Sequence, residues 1–150
     1  MITVEKGDPR DPQATALLQS SHALMQGLFP AASNHYLSID DLCTPEISFF
    51  IARQNDTVLG TGALANKSSY GEIKSMFVSP DARGTGTGTA LLTKIEEAAR
   101  AKKLPALRLE TGPELSSAIR LYERAGFTQC GPFGDYPDDP LSVFMEKRLA

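Results

Sequence analysis

Three glycines alternate with threonines in the segment Gly84-Thr85-Gly86-Thr87-Gly88. This segment lies between a strand-like run that ends at Val78 and a run of helical periodicity that begins at Gly86. Glycine adopts positive φ readily and lets backbone N–H groups approach a ligand, and a helix N-terminus adds unpaired donors that favour a phosphate. Because each glycine also costs backbone entropy, a turn without a ligand is disfavoured. The segment therefore predicts a phosphate-binding strand–loop–helix unit.

The two common nucleotide-binding motifs do not fit this loop. A P-loop requires a lysine directly after its last glycine, and no lysine follows these glycines. A Rossmann fingerprint requires a third glycine where this chain has Thr89, counted from Gly84, or Leu91, counted from Gly86. That fingerprint also follows the first strand of a βαβ unit, whereas hairpins are predicted before this loop.

Hydrophobic periodicity along the chain predicts a mixed α+β fold built on a central sheet. The predicted strands cover residues 2–6, 47–53, 57–65, 70–78, 106–110, 127–130 and 141–147. The predicted helices cover residues 12–28, 86–103 and 115–125, with a further helical turn around 39–42. A long loop over 30–45 and a turn-rich insert over 131–140 remain. A loop as long as that over 30–45 is more often functional than idle.

Length and composition limit the class of protein. The 150 residues correspond to one domain, and 15 Lys and Arg against 18 Asp and Glu lack the basic excess of a nucleic-acid-binding protein. No apolar run reaches the roughly 18 residues of a membrane span, and the first residues lack an apolar signal core. The cysteines form no CxxC pair, and the two histidines suggest no metal ligand set. We expect a single-domain cytoplasmic protein, residues 1–150, with no nucleic-acid, membrane or metal partner.

Two motifs resemble those of a known family. The segment from Arg83 to Gly88 matches [QR]-x-x-G-x-[GA], the acetyl-CoA signature of the GNAT superfamily of N-acetyltransferases. The segment from Tyr122 to Phe127 is similar to the Y-x-x-x-G-F segment of that family, and the tail over 132–147 resembles a group of small bacterial members. The resemblance covers nearly the whole chain. It implies a mixed central sheet of about seven strands flanked by about four helices.

The resemblance also implies that acetyl-CoA is the co-substrate. Backbone groups of the strand before the loop would bind the pantetheine arm, and one of their amides would bind the oxyanion; these are Met76, Phe77 and Val78. The loop would hold the pyrophosphate through Arg83, Gly84, Thr85, Gly86, Thr87, Gly88 and Thr89. Arg83 could equally be an ordinary surface arginine. Many members carry Asn or Gln where this chain has Leu115, so Ser116 or Ser117 would have to replace that contact, and Ser117 is the candidate.

Acetyl transfer to an amine requires a base for the ammonium proton and an acid for the departing thiolate. By resemblance, Tyr122 would be the acid and Glu72, near the start of strand 70–78, would be the base, directly or through a water. Glu110 is the alternative base. Glu72 could instead be solvated or paired with Lys74, and Tyr122 could instead be a packed aromatic residue.

The acceptor pocket is expected between the 30–45 loop and the 131–140 insert. His35, Tyr36 and Tyr136 are the candidate substrate-binding residues, and nearby acids could attract a cationic amine. The insert is expected to be too polar to join the core. The predicted function is acetyl transfer from acetyl-CoA to a primary amine of a small molecule or a peptide. The alternative is a non-catalytic acyl-CoA-binding domain, and the sequence leaves open whether the chain forms a homodimer.

Overall fold

The computed structural model describes residues 1–149 and contains, within them, seven β-strands and four α-helices. The strands are β1 (Thr3–Lys6), β2 (Ile47–Gln54), β3 (Thr57–Asn66), β4 (Gly71–Val78), β5 (Ala106–Thr111), β6 (Thr128–Cys130) and β7 (Val143–Arg148). The helices are α1 (Pro12–Leu28), α2 (Ile39–Leu42), α3 (Thr87–Ala101) and α4 (Ser116–Arg124). The predicted α+β class, with about seven strands and about four helices, is confirmed.

All seven strands belong to one mixed sheet in the order β1-β2-β3-β4-β5-β7-β6. β4 and β5 are parallel, and the other neighbouring strands are antiparallel. A parallel pair needs a crossover connection, and α3 supplies it between β4 and β5. The phosphate-binding loop predicted from the glycines therefore lies at the start of the one crossover between parallel strands.

Helices cover both faces of the sheet. Because side chains alternate along a strand, Phe49 and Ile51 of β2 pack on one face with Ala14 and Leu18 of α1, while Phe50 joins α3 and α4 on the other. None of the described helices has both the length and the apolar character needed to cross a membrane.

Helix α1 begins and ends as its sequence predicts. The carboxylate of Asp11 accepts hydrogen bonds from the N–H groups of Gln13 and Ala14, at 3.0 Å and 3.2 Å, and Pro12 occupies the first helical position. An N-cap carboxylate followed by proline satisfies donors that the helix itself leaves unpaired. The predicted helix over residues 12–28 has the same bounds in the structure.

Two other predicted boundaries shift by local turns. Helix α3 begins at Thr87, because Gly86 is its N-cap residue in a left-handed conformation with φ +87°. Strand β7 begins at Val143, later than predicted, because the Ser142 N–H donates to the Asp139 carbonyl in a turn. Both shifts place a turn next to the site described below.

Strands β4 and β5 diverge soon after they meet. They pair at only two positions, Gly71 with Leu107 and Glu72 with Arg108, although both strands continue beyond them. β4 also bulges at Ser75, whose φ of +55° is in the left-handed region. The bulge bends β4, and the backbone groups that β4 directs toward β5 beyond Glu72 are left without a strand partner. The result is an opening between the two parallel strands.

The expectation that the insert over 131–140 is too polar to join the core is wrong at Phe133. That side chain is buried, and its ring packs edge-to-face on Tyr70, Tyr136 and Phe144, with centroid distances of 5.2–5.7 Å. Aromatic pairs of this geometry contribute beyond the area they bury. The insert is therefore attached to the sheet through its aromatic residues, while its acidic residues stay near the surface.

Candidate active site

A cavity of about 120 Å³ lies at the opening between β4 and β5. It is lined by residues of α1, the loop after it, β4, the end of β5 and α4. The lining residues that carry its chemistry are His35, Lys74, Ser75, Met76, Glu110 and Tyr122. Because these come from four separate segments, the cavity is a product of the fold rather than of any one motif.

Tyr122 projects from α4 into the lining of this cavity. The residue is 5% exposed, and its ring packs against Phe127 with a centroid distance of 5.8 Å. Burial raises the pKa of its phenol far above the ordinary value. Tyr122 therefore presents a protonated hydroxyl group at neutral pH, in the wall of the cavity and not at the protein surface.

Glu72 is a buried carboxylate with partners, not a solvated one. Its Oε2 accepts a hydrogen bond of 2.5 Å from the Tyr136 hydroxyl and lies 3.3 Å from Lys74 Nζ. Lys74 Nζ also donates to the Tyr136 hydroxyl at 2.7 Å and to the His35 carbonyl at 2.9 Å. Burial, and then the adjacent Glu72 carboxylate, raise the pKa of Tyr136. The pairing with Lys74 that the sequence left open is thus present, and Glu72 is not among the residues that line the cavity.

Glu110 occupies a different position at the carboxyl end of β5. It lines the cavity, is half-buried, and accepts a hydrogen bond of 2.8 Å from Ser142 Oγ. Burial raises the pKa of Glu110 above its ordinary value, although the hydrogen bond from Ser142 opposes that shift. A carboxylate with a raised pKa is a stronger proton acceptor, and the structure places this one in the cavity wall.

The three residues predicted to bind the acceptor lie in two places, two in the cavity lining and one outside it. His35 packs edge-on to Tyr136, with ring centroids 5.1 Å apart, so the predicted loop and insert do meet. Tyr36 lies farther out, 37% exposed, and stacks on His22 at 4.1 Å. His35 and Tyr36 line the cavity directly, whereas Tyr136 lies behind it, bonded to Glu72 and Lys74.

A hydrogen bond joins the loop after α1 to the insert beside the cavity. Ser33 Oγ donates to Asp139 Oδ2 at 2.6 Å, and Asp139 Oδ1 accepts from the Leu141 N–H at 2.8 Å. These two hydrogen bonds, that from Ser33 first, lower the pKa of Asp139. Ser33 and Leu141 both line the cavity, so this contact closes one side of it. Sequence reasoning missed Ser33, because nothing in its local pattern indicates a partner so far along the chain.

The glycine loop has the backbone geometry predicted for it. Gly84 and Gly86 have φ of +79° and +87°, and a Cβ built on either would meet no protein atom within 4 Å. Their conformation, and not crowding, requires glycine. The first turn of α3 leaves the N–H groups of Thr87, Gly88 and Thr89 without helical acceptors, as at every helix N-terminus. Donors are thus available beside open space.

The other loop residues have distinct surroundings. Thr85 Oγ1 donates to the Ala82 carbonyl and lies 2.7 Å from Thr87 Oγ1, and Thr87 is buried. Gly88 serves packing as well, because a Cβ there would lie 2.8 Å from a methyl group of Leu121 on α4. Arg83 is exposed next to the loop. The side chains of Thr85 and Thr87 are thus committed to the loop itself, which leaves its backbone for a ligand.

The start of α4 differs from the helix predicted over 115–125. Leu115 is the N-cap residue, makes no side-chain capping bond and lines the cavity with its apolar side chain. Ser117 is exposed in the first turn and accepts a hydrogen bond of 3.4 Å from Arg120. Among residues 1–149, no group of three or more histidine, cysteine or acidic side chains is arranged to hold a metal ion.

Comparisons with known proteins identify the family to which the chain belongs. The acetyltransferase (GNAT) family matches residues 15–127. An IAA acetyltransferase of Azospirillum brasilense is 45% identical over 150 residues, which cover 99% of this chain and 98% of that protein. The crystal structure of a Klebsiella pneumoniae protein assigned to the acyl-CoA N-acyltransferases superposes with a TM-score of 0.83 at 32% identity, covering 100% of this chain and 99% of that one.

A more distant structure shares the fold. The PaiA N-acetyltransferase of Thermoplasma acidophilum, solved in complex with coenzyme A, superposes with a TM-score of 0.76 at 17% identity, covering 99% of each chain. The protein described here belongs to the GNAT family of acetyltransferases, and it is an acyltransferase. The family predicted from the Arg83–Gly88 and Tyr122–Phe127 segments is confirmed.

Proposed function

We propose that this protein transfers an acetyl group from acetyl-CoA to the primary amine of a small molecule. One observation carries the proposal: a single cavity at the β4–β5 opening is lined by both Tyr122, a protonated phenol, and Glu110, a carboxylate of raised pKa. An acid and a base at one junction are what proton movement during acetyl transfer requires.

The substrate acetyl-CoA fits the chain from the glycine loop to the cavity. The N-terminus of α3, with Gly84 and Gly86 in left-handed conformations, would take the pyrophosphate on backbone N–H groups. Beyond Glu72, β4 has no pairing with β5, so Met76, Phe77 and Val78 can bind the pantetheine arm through their backbone. Met76 also lines the cavity, which supports placing the thioester there. Ser117 remains the candidate for the polar contact that Leu115 cannot make.

The reaction needs three proton movements. The ammonium group first gives a proton to Glu110, which passes it to solvent, and the neutral nitrogen then forms a bond to the acetyl carbon. The carbon–sulfur bond breaks as Tyr122 donates its proton to the sulfur, and the nitrogen loses a second proton, which restores the phenol of Tyr122. An alkyl amine has a pKa of about 10.4 and is mostly protonated at neutral pH, so a base is required. Because burial raises the pKa of Tyr122, its phenol is protonated at neutral pH and can donate to the sulfur as negative charge develops there.

Glu110 is a better candidate for the base than Glu72. Glu110 lines the cavity, and among the described residues its side chain accepts a hydrogen bond only from the Ser142 hydroxyl. Glu72 instead pairs with the Tyr136 hydroxyl and with Lys74, behind the cavity wall. We infer that Glu72 is a positioning residue that orients Tyr136 and Lys74. The base role first predicted for Glu72 stays a prediction, and a pair of glutamine variants separates the two carboxylates.

The shape of the cavity favours a small acceptor over a peptide. Its volume is about 120 Å³, and the hydrogen bond from Ser33 to Asp139 connects the two segments on one side of it. An extended peptide would need an open groove, which this contact obstructs. His35 and Tyr36 would face the acceptor. Tyr136 would act indirectly, through its contacts with His35 and Lys74 behind the cavity wall.

The proposal is tested by measuring free CoA after mixing the protein with acetyl-CoA and a panel of small amines. We expect acetyl-CoA to raise the melting temperature, since a ligand bound only by the native state stabilises it, and we expect several amines to release CoA. A thermal shift without CoA release from any amine would instead support the non-catalytic acyl-CoA-binding alternative. Peptides acetylated as fast as small amines would contradict the assignment of a small acceptor.

A further inference from the structure

Two buried polar atoms have no hydrogen-bond partner within the part of the chain that the structure describes. They are His35 Nε2 and Ser75 Oγ, and both residues line the cavity. Buried polar atoms are almost always paired, because leaving one unpaired costs the free energy of its lost hydration. Because both residues line one cavity, the two unpaired atoms lie next to a space that a molecule from outside the chain can enter.

Both residues are held in place without that molecule. The His35 carbonyl accepts from Lys74 Nζ at 2.9 Å, and its ring packs edge-on to Tyr136. Ser75 lies at the bulge of β4, where its carbonyl accepts from the buried Thr61 hydroxyl at 2.8 Å. Groups fixed before binding lose little freedom when a ligand arrives, so they are suited to selecting one.

The charges around the cavity restrict what these atoms can bind. Lys74 is the one lysine or arginine among the residues that line it, and its ammonium group already contacts Glu72, the Tyr136 hydroxyl and the His35 carbonyl. Glu110 adds a negative charge in the same wall, and Asp139 lies close by through its bond to Ser33. A carboxylate on the ligand would have no unpaired lysine or arginine of the lining to bind, whereas the negative charges of Glu110 and Asp139 would attract an amine.

The chemistry of the two unpaired atoms matches a neutral hydroxyl group. A serine hydroxyl both donates and accepts, and an imidazole nitrogen does either one according to its tautomer. A hydroxyl group on the ligand can do the same, and it brings no charge into a wall that already contains Glu110. A purely apolar ligand would leave both atoms unpaired.

We propose that His35 and Ser75 form a second subsite of the acceptor pocket, which binds a hydroxyl group of the acceptor. The acceptor is then a small amino alcohol, its amine directed to Glu110 and its hydroxyl group to His35 Nε2 or Ser75 Oγ. This inference rests on the proposed acetyl transfer to a small amine and adds its substrate class. The competing account is that ordinary water fills these positions and the acceptor makes no use of them.

The test compares kcat/KM for matched acceptors, measured as release of free CoA. Ethanolamine, propanolamine and butanolamine are each compared with the alkylamine of equal size and with the amino acid of equal chain length. We expect the preferred amino alcohol to exceed its alkylamine by about tenfold, the worth of roughly one hydrogen bond, and the amino acid to be poorest. Equal values for alcohol and alkylamine at every length, or preference for the amino acid, would overturn the inference.

Two variants, each with a matched control, test whether the preference for the amino alcohol depends on His35 and Ser75. His35→Phe and Ser75→Ala should reduce the ratio of amino alcohol to alkylamine toward one. The matched controls are His22→Phe and Ser68→Ala. His22 does not line the cavity and a phenyl ring can keep its stack on Tyr36, and Ser68 is an exposed serine that also has positive φ. These should keep the wild-type ratio. A ratio unchanged in both His35→Phe and Ser75→Ala would assign the unpaired atoms to water alone.

Calorimetric titration with the same acceptors, in the presence of CoA, separates this inference from the proposed function. If no amine released CoA, acetyl transfer would fail, yet tighter binding of the amino alcohol to wild type than to His35→Phe would still support the subsite. If amines were acetylated but the amino alcohol bound no better than its alkylamine, the subsite would fail and acetyl transfer would stand.

Discussion

The two ends of the proposed active site are built in different ways. The phosphate end is local: within residues 84–89, glycines of positive φ precede the N-terminus of α3, and backbone N–H groups are the donors. The acceptor end is assembled from distant segments through side chains. Ser33 bonds Asp139 across 106 positions, and Tyr136 bonds Glu72 across 64.

This difference explains how each end can discriminate. Backbone donors at a helix N-terminus recognise a phosphate group and little else, which would suit the pyrophosphate of the proposed co-substrate acetyl-CoA. Side chains that line a cavity can change one at a time without altering the sheet. We therefore expect changes at the two ends to affect separate kinetic constants, and the predictions below test that separation.

Gly86→Val should have the largest effect, the loss of detectable acetyl-CoA binding. A Cβ at this position meets open space in the protein alone, but it opposes the φ of +87° and would occupy the side from which a phosphate approaches. Binding is measured by calorimetry, with circular dichroism to verify the fold. Gly27→Val, on the exposed side of α1 where a Cβ also meets nothing, is the matched control and should bind normally. Wild-type affinity in a folded Gly86→Val protein would place the phosphate site elsewhere.

Tyr122→Phe should lower kcat by about 10²- to 10⁴-fold, the usual contribution of a general acid. The variant keeps the buried ring and its contact with Phe127, so the melting temperature and acetyl-CoA affinity should hardly change. The rate is best measured in a single turnover, where chemistry limits it. An unchanged rate would make Tyr122 a packed aromatic residue and leave protonation of the thiolate to water.

Tyr136→Phe should raise the KM for the acceptor by about tenfold and leave acetyl-CoA affinity unchanged. Loss of its hydroxyl removes one partner each from the buried Glu72 carboxylate and from Lys74, which also holds the His35 carbonyl. Leaving buried polar groups short of a partner should lower the free energy of unfolding by about 1–3 kcal/mol. Steady-state kinetics and urea unfolding check both effects. A change in acetyl-CoA affinity alone would assign the insert to the phosphate end.

Ser33→Ala should have the smallest effect, an increase of a few-fold in acceptor KM. In the wild type, the Ser33 hydrogen bond lowers the pKa of Asp139, so this carboxylate stabilises the fold above its unfolded pKa of about 3.9. That contribution disappears as the pH falls through the lower pKa of the folded state. In Ser33→Ala, the pKa of Asp139 should therefore rise, which a carbon-13 NMR titration of the carboxyl group measures. An unchanged pKa would mean that the contact does not persist in solution.

The same contrast separates what the sequence predicts from what it does not. The cap at Asp11, the strands of the β2–β3 hairpin and the glycine loop each depend on neighbours a few positions away, so local patterns indicate them. The fold class followed from the predicted strands and helices, and the family from the Arg83–Gly88 and Tyr122–Phe127 segments. At the site, Tyr122 was predicted from the resemblance of the Tyr122–Phe127 segment to the family, and the structure places it in the cavity wall.

The features that the sequence does not predict depend on contacts between distant segments. Nothing near Phe133 shows that its ring will lie among Tyr70, Tyr136 and Phe144, so a turn-rich insert appears too polar to be buried. The sequence placed Glu72 and Glu110 on neighbouring strands but could not show which one faces the cavity. Glu110 faces the cavity because β4 and β5 diverge beyond the pair of Glu72 with Arg108.

The pH dependence of kcat tests most directly the claim that Glu110 is the base. With acetyl-CoA and amine both saturating, wild-type kcat should rise with pH through a single ionisation above the ordinary carboxyl pKa, because burial raises the pKa of Glu110. Glu110→Gln should lose this rise and about 10²- to 10⁴-fold in kcat, whereas Glu72→Gln should retain the rise. Loss of the rise in Glu72→Gln and its persistence in Glu110→Gln would contradict the account and make Glu72 the base.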